Sequence, residues 1–265
     1  LARRGALRLG YVDQPGGHKS HRAPMPYGGG VAILAAGWLP LAAVLPLAGA
    51  LPPEWVAAAF GELTRDYLGG LLLRARPALF ILGCGVLLHV LGLLDDLRPL
   101  GPTVKLPVML AVALLTSWGA EVRAGYWLGE PLSIALSALW IVVVINAFNF
   151  LDNMDGLSAG VATICLAFLT ACGLAMGQVL VPLMAALLAG ALLGFLVFNF
   201  PPARIFMGDA GSLLVGYGVA VTSIQTTYYE SGGDAPPFPL LIPLVVLAVP
   251  LYDFASVVLI RLAER

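Results

Sequence analysis

From Gly28 to Leu262 the chain alternates apolar stretches of about twenty residues with short polar breaks, and this rhythm limits its fold more than any other feature. Such a stretch, wound as a helix, matches the thickness of a bilayer core. Inside lipid every backbone N–H and C=O must find a partner within the protein, which leaves helices and closed barrels as the available solutions. Barrel strands alternate apolar and polar residues, whereas these runs are continuous, so the sequence predicts an all-α, polytopic transmembrane helical bundle. Composition agrees: 60% of residues are hydrophobic and 11% charged, against about 25% charged in an average soluble domain. The mean hydropathy is +0.93.

Eight spans are expected, at about 28–51, 77–94, 103–119, 131–150, 157–176, 179–199, 211–227 and 238–260, forming one integral-membrane domain over 1–265. The break at 52–76, with Pro52, Pro53, Glu62, Arg65 and Asp66, has room for a short interfacial helix. Threading these spans puts Arg3, Arg4, Arg8, Lys19, Arg22, Arg98, Lys105, Arg204, Arg261 and Arg265 on one side, against Arg65, Arg74, Arg76 and Arg123 on the other. The positive-inside bias makes the first side cytoplasmic. Asp13, Asp95, Asp96, Asp152, Asp155 and Asp209 fall on the same side. That bias acts weakly on carboxylates, so their clustering needs a chemical cause. The net charge of −1 and the lack of a basic stripe give no footprint for nucleic acid. Cys84, Cys165 and Cys172 lie within apolar runs without metal-type spacing and read as small buried hydrophobes.

Four polar segments carry chemistry. In the first, Leu94-Asp95-Asp96-Leu97-Arg98, two adjacent carboxylates close a helix at the membrane boundary, where they oppose the helix dipole. Such a pair can hold a divalent cation or keep one carboxylate basic, although a solvated helix end would look alike. In the second, Asn146 to Gly156, a helix would bring the amides of Asn146, Asn149 and Asn153 onto one face and Asp152 beside Asn149. Those oxygens suit Mg²⁺ or a nucleobase, and Asp155 alone could be a helix cap. The third, Phe198 to Ser212, leads through Met207-Gly208-Asp209 into a helix whose free N-terminal amides would favour phosphate, with Gly208 and Gly211 allowing close approach. Asp209 could also be a plain N-cap. The fourth, Asp13 to Gly30, is a basic Pro/Gly-rich loop with His18, Lys19 and His21, fit to be a phosphate-binding arm or to rest on anionic lipid.

Taken in this order and spacing, the four segments resemble the polyprenyl-phosphate N-acetylhexosamine-1-phosphate transferases, from Asp13 to Asp253. The resemblance implies Mg²⁺-dependent transfer, with Mn²⁺ as a substitute, of a sugar 1-phosphate from a UDP-N-acetylhexosamine to a polyprenyl phosphate such as undecaprenyl phosphate. UMP would be released. It implies Asp209 and Asn149 as metal ligands, Lys105 on a phosphate, Asp155 on the uracil, and Asn146, Asp152, His18, Lys19 and His21 as further substrate contacts. Asp95 and Asp96 would lie beside the acceptor phosphate, one deprotonating or orienting it, with a covalent aspartyl route as the alternative. Pro24-Met-Pro26-Tyr-Gly28-Gly29 and Asn153-Met-Asp155 look closer to the N-acetylglucosamine branch than to the muramoyl-pentapeptide branch. The family would place the protein in the bacterial cytoplasmic membrane with its site facing the cytoplasm, and leaves a homodimer open. It also implies another span before the Asp13 loop and a His-rich loop with a further helix beyond Arg265, so truncation at both ends is expected.

Two other classes compete. A transporter would line a midplane pathway with ionisable groups, for which His89 and Asp253 are the deeper candidates. An intramembrane aspartyl protease is suggested by Tyr252-Asp253 and Met207-Gly208-Asp209, but these stand in the opposite order from that class.

Overall fold

The computed structural model describes residues 2–13, 24–50, 52, 54–55, 58, 61–226 and 241–264. His18, Lys19 and His21 lie outside them. The chain starts with helix α1 (Ala2–Leu9) and a short antiparallel hairpin, β1 (Val12–Asp13) on β2 (Met25–Pro26). Helix α2 (Gly29–Ile33) continues through a π-helical turn at Leu34–Trp38 into α3 (Leu39–Ala50). Then come α4 (Glu62–Leu73), α5 (Ala75–Leu97), α6 (Pro102–Gly119), α7 (Glu130–Leu151), α8 (Leu157–Ala175) and α9 (Leu180–Asn199). The last elements are α10 (Gly208–Thr226), α11 (Ile242–Val246) and α12 (Ala248–Ala263). The protein is a multi-pass, all-α membrane protein.

Six described helices are long and apolar enough to cross a bilayer: Gly29–Leu47, Ala75–Leu97, Pro102–Gly119, Glu130–Leu151, Leu157–Ala175 and Leu180–Asn199. The other two expected spans depart from that pattern for physical reasons. Helix α10 is the axis of the fold, packed by α2, α5, α7, α8 and α9, and nearly every residue in it is buried. Shielded from lipid by its neighbours, it can carry glycines and hydroxyls instead of large apolar side chains. Gly216 lies against the Ile145 backbone and Gly218 against Trp38, while Thr222 and Ser223 return their hydroxyls to the carbonyls of Gly218 and Ala220 at 2.8 and 2.7 Å.

The last expected span is interrupted at Leu247, between α11 and α12. Pro250 has no N–H to give to Val246, four residues back. The thiol of Cys165 on α8 donates to the Val246 carbonyl instead, at 3.2 Å. Cys165 is thus more than an apolar filler; Cys84 is buried and Cys172 half-buried. The expected helix in the first break is present as α4. Phe254 of α12 stacks on Phe150 of α7 at 5.7 Å, and the Arg261 guanidinium lies 5.0 Å from the same ring. The C-terminal ends of α5, α7 and α9, the N-terminal ends of α6, α8 and α10, and the hairpin therefore meet at one end of the bundle.

Candidate active site

Three helix ends bring opposite charges together there. Asp95, in the last turn of α5, accepts the Leu100 amide at 2.7 Å and the Lys105 ammonium at 3.1 Å. Lys105, in the first turn of α6, also pairs with Asp209, in the first turn of α10. Asn149, near the end of α7, donates to the other Asp209 oxygen at 3.0 Å and to Ser212 Oγ at 2.9 Å. Asp95, Lys105, Asp209 and Asn149 thus form one connected row. The side chains of Lys105, Asp95 and Asp209 are 17%, 16% and 26% exposed, so a ligand can reach them although most of each is dry.

The two adjacent carboxylates face different ways. Asp96 reaches across to α10 and accepts the Asp209 amide at 2.7 Å and the Ala210 amide at 3.2 Å. It caps that helix from a different helix, and the Tyr11 hydroxyl donates to it as well, at 2.6 Å. The expectation of free amides for phosphate at this helix start is therefore corrected: a carboxylate of the protein already occupies two of the first three. The glycines are corrected with it. Gly208 has φ +70° and no side chain because the Asp96 carboxylate lies where its Cβ would be, and Gly211 packs on Gly30 and Met207. Gly92 lets α5 approach the Asp209 and Ala210 backbone closely enough for these bonds. One turn deeper, buried His89 binds the Ala210 carbonyl through Nδ1 at 2.9 Å.

The Asn146–Gly156 segment is only partly as expected. Helix α7 ends at Leu151, so Asn153 lies in the following turn and leaves the face of Asn146 and Asn149. Asn146 turns back to the Val142 carbonyl at 2.8 Å and stays out of the row. Asp155 does not cap α8, whose cap is Gly156 at φ 73°; it accepts the Ala203 amide at 2.9 Å. Asn199 fastens the same two loops, accepting from Gly156 N at 2.9 Å and donating to Ile205 O at 3.0 Å. Asp152, in the turn, is pushed well above the usual carboxylate range by burial first and then by the charges of Asp209, Asp96 and Asp155.

Tyr11, Ser212, His89 and Asn199 complete the site, and sequence spacing gave no signal for Tyr11, which lies 85 positions from its partner. The Tyr11 and Tyr27 rings are 5.3 Å apart. Burial foremost, then the bond to Asp96, pushes the Tyr11 phenol far above its ordinary range, so it remains a protonated donor. Burial and Asp13 do the same for Tyr27.

Residues 78–227, which run from α5 to just past α10 and include the whole row, match Glycosyl transferase family 4. The chain belongs to that family. It is 31% identical over 278 residues to the "Probable undecaprenyl-phosphate N-acetylglucosaminyl 1-phosphate transferase" of Bacillus subtilis (strain 168), covering 100% of this chain and 68% of that protein. It is 30% identical over 286 residues to the decaprenyl-phosphate N-acetylglucosaminephosphotransferase of Mycobacterium tuberculosis (strain ATCC 25618 / H37Rv), covering 97% and 65%. The phospho-N-acetylmuramoyl-pentapeptide-transferase of Caldanaerobacter subterraneus subsp. tengcongensis is 34% identical over 186 residues, 63% of this chain and 56% of that protein. The chain thus spans about two thirds of the length of the first two relatives, and within its family lies nearer the N-acetylglucosamine branch.

Proposed function

We propose that this chain is the membrane-embedded catalytic part of an enzyme that transfers N-acetylglucosamine 1-phosphate from its UDP ester to a polyprenyl phosphate, at the cytoplasmic face of a bacterial inner membrane. The row Asp95–Lys105–Asp209–Asn149 at one end of the bundle carries the proposal, supported by relatives whose names specify an N-acetylglucosamine phosphate transferase acting on undecaprenyl or decaprenyl phosphate. In the reaction an acceptor phosphate oxygen attacks the sugar-bearing phosphorus of the donor. A new diphosphate bond forms, the bond between that phosphorus and the bridging oxygen breaks, and UMP departs with its electron pair.

The chain's own residues suit that exchange. Lys105, shared between two carboxylates, can turn its ammonium onto phosphate oxygens without leaving the row, lowering the repulsion between donor and acceptor. Asp95 faces Lys105 and orients its ammonium towards the acceptor phosphate, while Asp96 holds the start of α10 in place. Asp155 and Asn199 fix the loops bordering the site. A tail anchored in lipid and a donor from water can both arrive, because the row lies at helix ends.

The donor set fits Mg²⁺. Asp95, Asp96, Asp152 and Asp209 crowd the site with hard anionic oxygens, and among the described residues Lys105 is the one cation paired with them. No three His, Cys, Asp or Glu side chains among the described residues form a ready-made cage. An ion held by one or two carboxylates and by substrate phosphates asks for none. Asp209 would hold it with Asn149, and when bound it would offset the charge of the diphosphate. The test is to supply UDP-N-acetylglucosamine labelled in the sugar together with undecaprenyl phosphate. Label entering the lipid phase, one UMP released per label, is the expected result; UMP without lipid label would refute the transfer.

A further inference from the structure

We infer that Tyr11 is a positioning residue for this transfer: its phenol holds Asp96 in place as the cap of α10 and thereby fixes where Asp209 points. The inference rests on the proposed reaction for its kinetic consequence and on geometry alone for its structural one. Asp96 carries three donors, and two of them, the Asp209 and Ala210 amides, belong to the helix it caps. Tyr11 is the third and comes from a different element, the segment that leads into the hairpin. With it, the carboxylate is clamped between two elements; without it, Asp96 can rotate about its side-chain bonds and release the amide of the very residue that pairs with Lys105 and Asn149.

Tyr11 is itself held to the loop that leads into α10. Its amide donates to Ala6 O at 2.9 Å and its carbonyl accepts from Tyr27 N at 3.1 Å. From there Pro26 O accepts Phe206 N at 3.0 Å, and Gly29 N and Gly30 N donate to Phe206 O and Met207 O, both at 3.0 Å. Arg3 adds a bond to Arg204 O at 3.2 Å. The N-terminal segment therefore grips the start of α10 twice, by backbone bonds of Pro26, Gly29 and Gly30 to Phe206 and Met207 and by Tyr11 through Asp96.

Tyr11→Phe is the appropriate variant, because it keeps the ring beside Tyr27 and removes only the hydroxyl. A hydrogen bond to a carboxylate is worth roughly a factor of ten to one hundred. The variant is expected to lower kcat about tenfold while donor KM stays within about twofold, and to speed hydrogen exchange at the Asp209 and Ala210 amides about tenfold while exchange in α8 is unchanged. In an Asp96→Ala background the same change should alter amide exchange less than about twofold. Unchanged kcat, unchanged exchange, or an equal effect with and without Asp96 would each overturn the inference. Loss of kcat without faster exchange would overturn it too, since Tyr11 would then act elsewhere. Should the parent protein transfer no sugar phosphate, the proposed function fails, while the exchange comparison still decides whether Tyr11 holds the cap.

Discussion

Replacing Gly208 by alanine adds one methyl group at the point where α5, α10 and the site meet. The added Cβ would lie 2.6 Å from Asp96 Oδ2 and 3.0 Å from its Cγ and Oδ1. Atoms do not approach so closely, so the carboxylate must retreat from amides it now meets at 2.7 and 3.2 Å. Holding a non-glycine residue at φ +70° costs about 1–2 kcal/mol, and weakening charge-assisted bonds to the two amides adds about 1.5–3 kcal/mol. The stiffer unfolded chain offsets about 0.4–1 kcal/mol, leaving a destabilisation of about 1.5–4.5 kcal/mol. Thermal unfolding in detergent would read it, with Asp96→Ala and the double variant measured alongside. Once Asp96 is truncated the clash is gone, and Gly208→Ala should cost only about 1 kcal/mol of backbone strain. A Gly208→Ala protein within about 0.5 kcal/mol of the parent, or one equally damaged with Asp96 removed, would refute the account of a helix capped from outside.

Lys105→Met should raise donor KM and lower kcat, together costing about ten to one hundredfold in kcat/KM, and steady-state kinetics would show it. It should also lower the melting temperature, because Asp95 and Asp209 are then left facing each other without the ammonium. Asn199→Ala leaves Gly156 N and Ile205 O without their partner and should cost about 2–4 kcal/mol in thermal unfolding; a change under about 0.5 kcal/mol would show that the two loops hold without it. Asp152 has a raised folded value, so its folded-state preference for the neutral form is fully present below about pH 4 and is lost as pH rises through that raised value. At neutral pH the raised value makes this carboxylate a liability: in metal-free buffer Asp152→Asn should raise the melting temperature at pH 7–8, with the gain vanishing towards pH 4.

How far the sequence reveals this site depends on whether a residue's environment is set locally. Helices α5 to α9 are readable because each must bury its own backbone in lipid and announces itself by an apolar run. Helix α10 announces itself less clearly, because protein surrounds it and Gly216, Gly218, Thr222 and Ser223 replace the apolar residues that lipid would demand. Asp95, Asn149 and Asp209 stand out as polar groups at helix ends, where the boundary of the bilayer brings them to one level. The division between Asp95 and Asp96 was not legible: which neighbour faces Lys105 and which faces α10 is fixed by the rotation of α5 against a helix more than a hundred residues away. Tyr11 is invisible for the same reason. The amides promised by the Met207-Gly208-Asp209 turn misled in a definite way, since a glycine that makes room for a ligand and one that makes room for Asp96 look alike in sequence.

The comparison of Asp209→Asn with the parent enzyme tests the central claim most directly. The amide has nearly the same size and can still bond Lys105 and Asn149 partners in part, but it removes the charge that the row is built around. Transfer of labelled N-acetylglucosamine 1-phosphate into the lipid phase is measured across a Mg²⁺ titration, with thermal unfolding recorded on the same samples. The account predicts a protein melting within a few degrees of the parent whose transfer falls about a hundred- to a thousandfold, the scale on which loss of a transition-state electrostatic contact is felt. Transfer at close to the parental rate with the same Mg²⁺ dependence would contradict it.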